Sequence, residues 1–425
     1  MRKVLQDIKN FVGKRASRAF LLCGKVRLIF ASKFPPRKVL LVCGIFLIGL
    51  GVGASIVLFA GTRTVLPPYQ GAATPYAAGK QIRLDGMYTR IMVGEGNTVP
   101  LQPLVDALGG TTAWNDDTRE ITIAHGRNRI TLRPNIRSAV VNRRQTYLSS
   151  PLRIVEGRSV VTLDFITRYM GLGIGFVGNT VVATSETTTR LPVLVYHHIL
   201  PREKSYAMPH NPWLVTTDVF EEQMRYLHQN GFYPVTLCDL EHFLFHGRNL
   251  PARSVMIHFD DGYYSNFVYA APIMRRYMMR GQIFLITGEV EALGEEQPPL
   301  DYGCLTFAAL HTIAANTDVF ETASHSHNLH DGVYGTTDTR LMRAMREYII
   351  ADTINSFEFV CNHRAYAFPL SQHNEYVINA LQDAGITMAF GGGNLYITRN
   401  SNPLALPRFT VYNAETTRRF RNLIN

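Results

Sequence analysis

Residues 254–262 read Ser254, Val255, Met256, Ile257, His258, Phe259, Asp260, Asp261, Gly262. A short, almost unbroken apolar run closed by charge and glycine is a buried strand, and Gly262 lets the chain turn where the strand stops. Side chains alternate along a strand, so two adjacent carboxylates cannot share one ligand within it. At the strand's end the alternation relaxes. One carboxylate can then hold a metal while its neighbour reaches a metal-bound water. Downstream, residues 324–330 carry His325, His327 and His330. One aspartate with two histidines leaves room for water on a catalytic zinc.

The surrounding chain supplies partners for that strand. Residues 192–196 form a strand candidate ending at His197. A helix is expected over 218–230, with Phe220, Met224 and Leu227 on one face and Asp218 and Glu221 in capping-box spacing. Asp239 is expected to cap a second helix that stops at Gly247. Strands near 282–286, 319–323, 365–368 and 387–390 alternate with helices near 266–279, 306–315, 338–350 and 374–383. Such alternation means parallel pairing, and this many units fit a closed or nearly closed α/β barrel. The charged and histidine-bearing motifs fall just after strands, on the rim where barrels carry their sites.

The net charge of +10 invites a nucleic-acid reading, which its distribution excludes. Residues 1–38 hold eleven Lys/Arg and one acid, and subtracting them from 43 and 33 leaves 32 against 32. The excess is thus an N-terminal arm. It precedes residues 39–60, an uncharged apolar run of 22 residues, long enough for a transmembrane helix. Basic residues before that run place the N-terminus in the cytoplasm, giving a single-pass membrane protein whose remaining domains lie outside. Residues 61–79 read as a tether rich in Pro, Gly, Ala and Thr. Cys238, Cys304 and Cys361 follow it, scattered and odd in number, which argues against a disulfide framework.

Residues 80–190 contain an internal echo. The segment 99–109, followed by Trp114 and the β-branched run after Arg119, returns as 161–171, followed by Phe176 and the run after Asn179. Each unit reads as a short helix, an aromatic strand, a turn and a β-branched strand, giving a small α+β repeat domain. It resembles the copper amine oxidase N-terminal-like domain. With His125 as its one histidine and no cysteine, it offers no copper site.

His325 and His330 are five apart, about 140° on a helix, so they need a loop or strand end. In an extended segment His325 and His327 would share a face, and the residues alone leave the pair open. Residues 191–425 resemble the NodB-homology polysaccharide deacetylases, carbohydrate esterase family 4. His258-Phe259-Asp260-Asp261-Gly262 stands for the first motif, His325-Ser326 with His330 for the second, and Ala367-Phe368-Pro369-Leu370 lies where the third is found. The resemblance implies a deformed (β/α) barrel in which Asp260 is the base. It also implies a divalent metal, zinc or alternatively cobalt, held by Asp261, His325 and His330. By the same resemblance Arg408 orients Asp260, and a backbone amide after Pro369, that of Leu370, stabilises the oxyanion. His258 replaces the usual threonine, and no histidine follows Arg408. In a closed barrel the first and last strands are neighbours, so an acid can come from either end of the domain. The circularly permuted branch that includes poly-N-acetylglucosamine deacetylases then points to His197 as general acid, with His198 turned away.

The expected activity is removal of acetyl groups from N-acetylated cell-wall or exopolysaccharide glycans. A silent glycan-binding module or an O-deacetylase would use the same groove.

Overall fold

The computed structural model describes residues 79–294, 301–315, 318–332, 338–412 and 417–424. The expected basic arm, the apolar run 39–60 and nearly all of the tether lie outside the described residues. Among the described residues no helix is long and apolar enough to cross a membrane.

The echo in residues 80–190 is an echo in structure. Helix Leu101–Ala107 leads to strands Thr111–Asn115 and Glu120–His125, and helix Leu163–Tyr169 leads to Gly173–Val177 and Thr180–Thr184. Leu101, Leu104 and Val105 from one helix and Leu163, Phe165 and Ile166 from the other enter a single core. Strand Gln81–Leu84 pairs in parallel with Thr180–Thr184, tying the start of the domain to its end.

In residues 191–424 the strands follow the spatial order Met388–Phe390, Ala365–Ala367, Phe320–Ser324, Gly281–Leu285, Ser254–Phe259, Val193–Tyr196, Phe409–Thr410. Every pairing along this path is parallel. The segment 406–410 meets both edges. Leu406 bridges Phe390, while Phe409 and Thr410 pair with Leu194 and Val195. The sheet therefore curls round on itself. Every residue of Ser254–Phe259 is buried. Val255, Ile257 and Phe259 face the layer of helices with Phe220, Met224 and Leu227, whereas Met256 lies in an inner cluster with Phe284 and Phe390.

Some local expectations need correction. The helix Thr217–Gln229 begins after Thr216 without a side-chain cap, and Asp218 instead pairs with Arg202. The next helix, Leu237–Phe245, is capped by Thr236; Asp239 is the third residue of a capping box and reaches back to the Thr236 amide. An aspartate three places inside a helix can complete a box that a threonine opens. The helix expected over 338–350 is two, Arg340–Arg343 and Arg346–Ser356, because Ala344 and Met345 are extended.

The two domains share a packed junction. Asn249 bridges Gly173, and its backbone N–H donates to the Thr167 hydroxyl. Tyr233 crosses the junction: its hydroxyl accepts from the Phe176 N–H at 2.8 Å and donates to Asp239 at 2.7 Å. Gly175 lies beneath that ring, where a Cβ would come within 2.2 Å of it. These contacts cluster just before strand Ser254–Phe259 begins. Six residues at roughly 3.3 Å each put them about 20 Å from the strand's other end.

Candidate metal centre and active site

Strand Ser254–Phe259 delivers Asp260 and Asp261 to the rim. Asp261 adopts φ 69°, a left-handed conformation unusual for a non-glycine residue, and Gly262 follows at φ 77°. This abrupt turn is how two neighbouring carboxylates escape strand alternation and reach one pocket. Ser326, at φ 75°, turns the loop after strand Phe320–Ser324, and Leu370 and Ser371, at φ 54° and 59°, turn the loop after Ala365–Ala367. Such conformations cost of order 1–3 kcal/mol each and persist where the surroundings impose them. Here all of them point at one place.

Asp261 Oδ1 lies 3.5 Å from His325 Nε2 and 3.3 Å from His330 Nε2. Two of the three residues are buried and His330 is nearly so, and their ligand atoms lie within 4.8 Å of one another. Ligand distances of about 2.0–2.1 Å imply a tetrahedral edge of roughly 3.3 Å. These donors therefore have the spacing of groups that share one small cation. The tautomer of His325 agrees. Its Nδ1 lies 2.8 Å from the Ala367 carbonyl, to which it can only donate, so in the neutral ring Nε2 turns a lone pair towards the carboxylate. In that tautomer the imidazole and the carboxylate can share a cation between them.

His327 goes elsewhere. Its Nδ1 meets the Thr287 hydroxyl at 3.0 Å and its Nε2 faces Glu291. The loop is held by Asp352, whose carboxylate accepts from the His327 and Asn328 backbone N–H groups at 2.8 and 2.7 Å.

Asp260 is 4 % exposed and receives both arms of the Arg408 guanidinium at 2.8 Å. Burial pushes its carboxyl up, but Arg408 and His325 outweigh that and hold it at about 2. Arg408 is itself fixed by donating to the Gly391 carbonyl. Burial likewise opposes ionisation of Asp261, yet the facing histidines keep it well below the usual carboxylate range.

His197 follows strand Val193–Tyr196 and lines the same cavity, of about 230 Å³, together with Leu370 and Arg408. Burial lowers its pKa, against the pull of Asp261 and Asp260. His198 lines the pocket too, with its ring stacked on Tyr263. Every proposed site residue thus borders one cavity. Arg364, just before strand Ala365–Ala367, pairs with Glu241 and does not line this cavity.

The sequence reading missed Trp213 and Tyr263, both of which line the pocket. Tyr263 directly follows the Asp-Asp-Gly turn. Trp213 sits in an Asn-Pro-Trp loop just before strand Leu214–Thr216, where a large aromatic in a polar turn was the available signal.

The carboxylate and histidine site thus lies at the strand ends of a curled parallel sheet. Residues 247–389 match the polysaccharide deacetylase family and residues 80–184 the copper amine oxidase N-terminal domain. The chain carries a NodB-type polysaccharide deacetylase domain behind a copper amine oxidase N-terminal domain. Among curated proteins, it is 27% identical over 209 residues to the poly-beta-1,6-N-acetyl-D-glucosamine N-deacetylase of Staphylococcus aureus strain MSSA476, covering 46% of this chain and 67% of the relative. Among solved structures, the Streptococcus pyogenes deacetylase PplD in complex with acetate aligns with a TM-score of 0.48 and 17% identity over 56% of this chain and 100% of that one. IcaB from Ammonifex degensii aligns at 0.45 and 19% identity, over 56% of this chain and 97% of that one.

Proposed function

We propose that the chain is a metal-dependent N-deacetylase acting on polymers of N-acetylglucosamine, anchored to the membrane by residues 39–60 with its catalytic domain outside. One observation carries the chemistry: an Asp261, His325, His330 donor set opening on a pocket where an ion-paired Asp260 waits. Zinc on those donors would lower the pKa of a bound water towards ~7 and polarise the amide carbonyl; a mixed N/O set also admits cobalt.

The chain's own residues do the rest. Asp260, held ionised by Arg408, accepts the proton of the attacking water. The Leu370 amide donates to the developing oxyanion. His197, protonated from solvent, gives that proton to the leaving amine, so the nitrogen departs as a neutral amine; the protons taken by Asp260 and shed by the acetic acid return to solvent and acetate remains. The substrate class is supported by the staphylococcal relative, which is named for poly-β-1,6-N-acetyl-D-glucosamine.

Acetate release tests this directly. The purified protein should liberate acetate from poly-β-1,6-N-acetylglucosamine, stop when a chelator is added and resume with zinc. Release from peptidoglycan alone would move the substrate assignment to the wall. No release from either by the metal-loaded protein would refute the activity.

A further inference from the structure

Tyr263 lines the pocket but has no part in the chemistry above. Its hydroxyl lies within reach of the Asp261 carboxylate. Tyr263 is held at its backbone and at its ring. Behind it, Leu305 N–H donates to the Gly262 carbonyl at 2.9 Å, Tyr264 N–H donates to Gly303 at 2.7 Å, and Tyr263 itself bridges Cys304. Against its face lies the His198 ring, with centroids 3.6 Å apart and planes 25° from parallel. His198 is 3 % exposed and starts strand His198–Leu200, in register with Leu214 of the neighbouring strand.

We propose that Tyr263 is a positioning residue for the metal ligand Asp261, and that His198 serves as the flat buttress that holds Tyr263 in place. This rests on the reading of Asp261, His325 and His330 as a metal site. The terminal torsion of an aspartate is broad and roughly two-fold, so rotamer preference alone does not keep Oδ1 facing both histidines. A donor fixed to the carboxylate does. Outer hydrogen bonds of this kind typically change metal affinity by 10–100-fold when removed. His198 acts through its ring face, so another planar ring can replace it. This gives the second histidine of the His197-His198 pair a role separate from proton transfer.

The test measures zinc affinity of the full chain by competition with a chromophoric chelator, with thermal melts as the folding control. Tyr263→Phe keeps the ring and loses the hydroxyl; it should weaken zinc binding by about 10–100-fold at an unchanged melting temperature. His198→Ala should weaken it similarly, and His198→Phe should restore it. Zinc binding by Tyr263→Phe as tight as wild type would overturn the proposal. So would a His198→Phe protein no better than His198→Ala. A wild-type chain that binds no zinc would overturn the metal reading itself, and this inference with it.

Discussion

Asp260 and Asp261 are neighbours with opposite surroundings. Asp260 faces a cation supplied by the protein, and Asp261 faces two imidazoles that can share a metal. Asp260→Asn should therefore cut acetate release by roughly 10²–10⁴-fold while zinc stoichiometry survives, whereas Asp261→Asn should lose the zinc. His197→Ala should resemble Asp260→Asn. Metal analysis beside the rate assay checks the division, and equal loss of zinc from both aspartate variants would dissolve it. His258 makes a different point. It is fully buried between Phe284 and Phe390, and neither ring nitrogen has a hydrogen-bond partner. Burial, then the charge of Arg408, hold its pKa well below the usual 6.5. Because the folded pKa is depressed, this residue's contribution to stability is present above about 6.5 and is lost as pH falls below that value. His258→Leu should leave the protein folded and flatten the acid side of its stability curve by up to about 1.4 kcal/mol per pH unit, read from denaturant melts between pH 7 and 5.

At the scale of elements, the site is an assembly of strand-end loops, and the loop 324–330 contributes two of the three candidate ligands. It is pinned from outside by Asp352 on helix Arg346–Ser356, which satisfies two of its backbone N–H groups. Asp352→Ala removes the partner of both donors and leaves the buried His327 N–H unsatisfied, at a cost of about 1–3 kcal/mol. The variant should melt earlier and bind zinc more weakly although it alters no ligand; calorimetry and chelator competition report the two effects. Much of this level was legible from pattern. The buried run ending in Asp-Asp-Gly has the form of a strand leading into a tight turn, and that is its form in the fold. The capping of helix Leu237–Phe245 was misread because Thr236 and Asp239 are both good N-terminal residues. Only the backbone path decides which of them stands outside the helix.

At the scale of the molecule, the repeat domain docks about 20 Å from the pocket, at the opposite end of strand Ser254–Phe259. Tyr233 cannot move aside for a larger residue at 175, since its hydroxyl is bonded on both sides of the junction. Gly175→Ala should cost about 1–3 kcal/mol by overpacking. It should split a single calorimetric transition into two while leaving acetate release by the folded protein intact. The sequence by itself determined the alternation of strands and helices, the doubled unit of the first domain and the residue types able to hold a metal, because periodicity and side-chain chemistry are local properties. Spacing alone left His327 and His330 open, and the family resemblance supplied both that choice and the pairing of Arg408 with Asp260 across 148 positions; the place of Trp213 and Tyr263 at the pocket came only with the tertiary structure. Left-handed turns at Asp261, Ser326 and Leu370 set those directions. Such backbone conformations are imposed by the packing around them and carry almost no mark in the residues that adopt them.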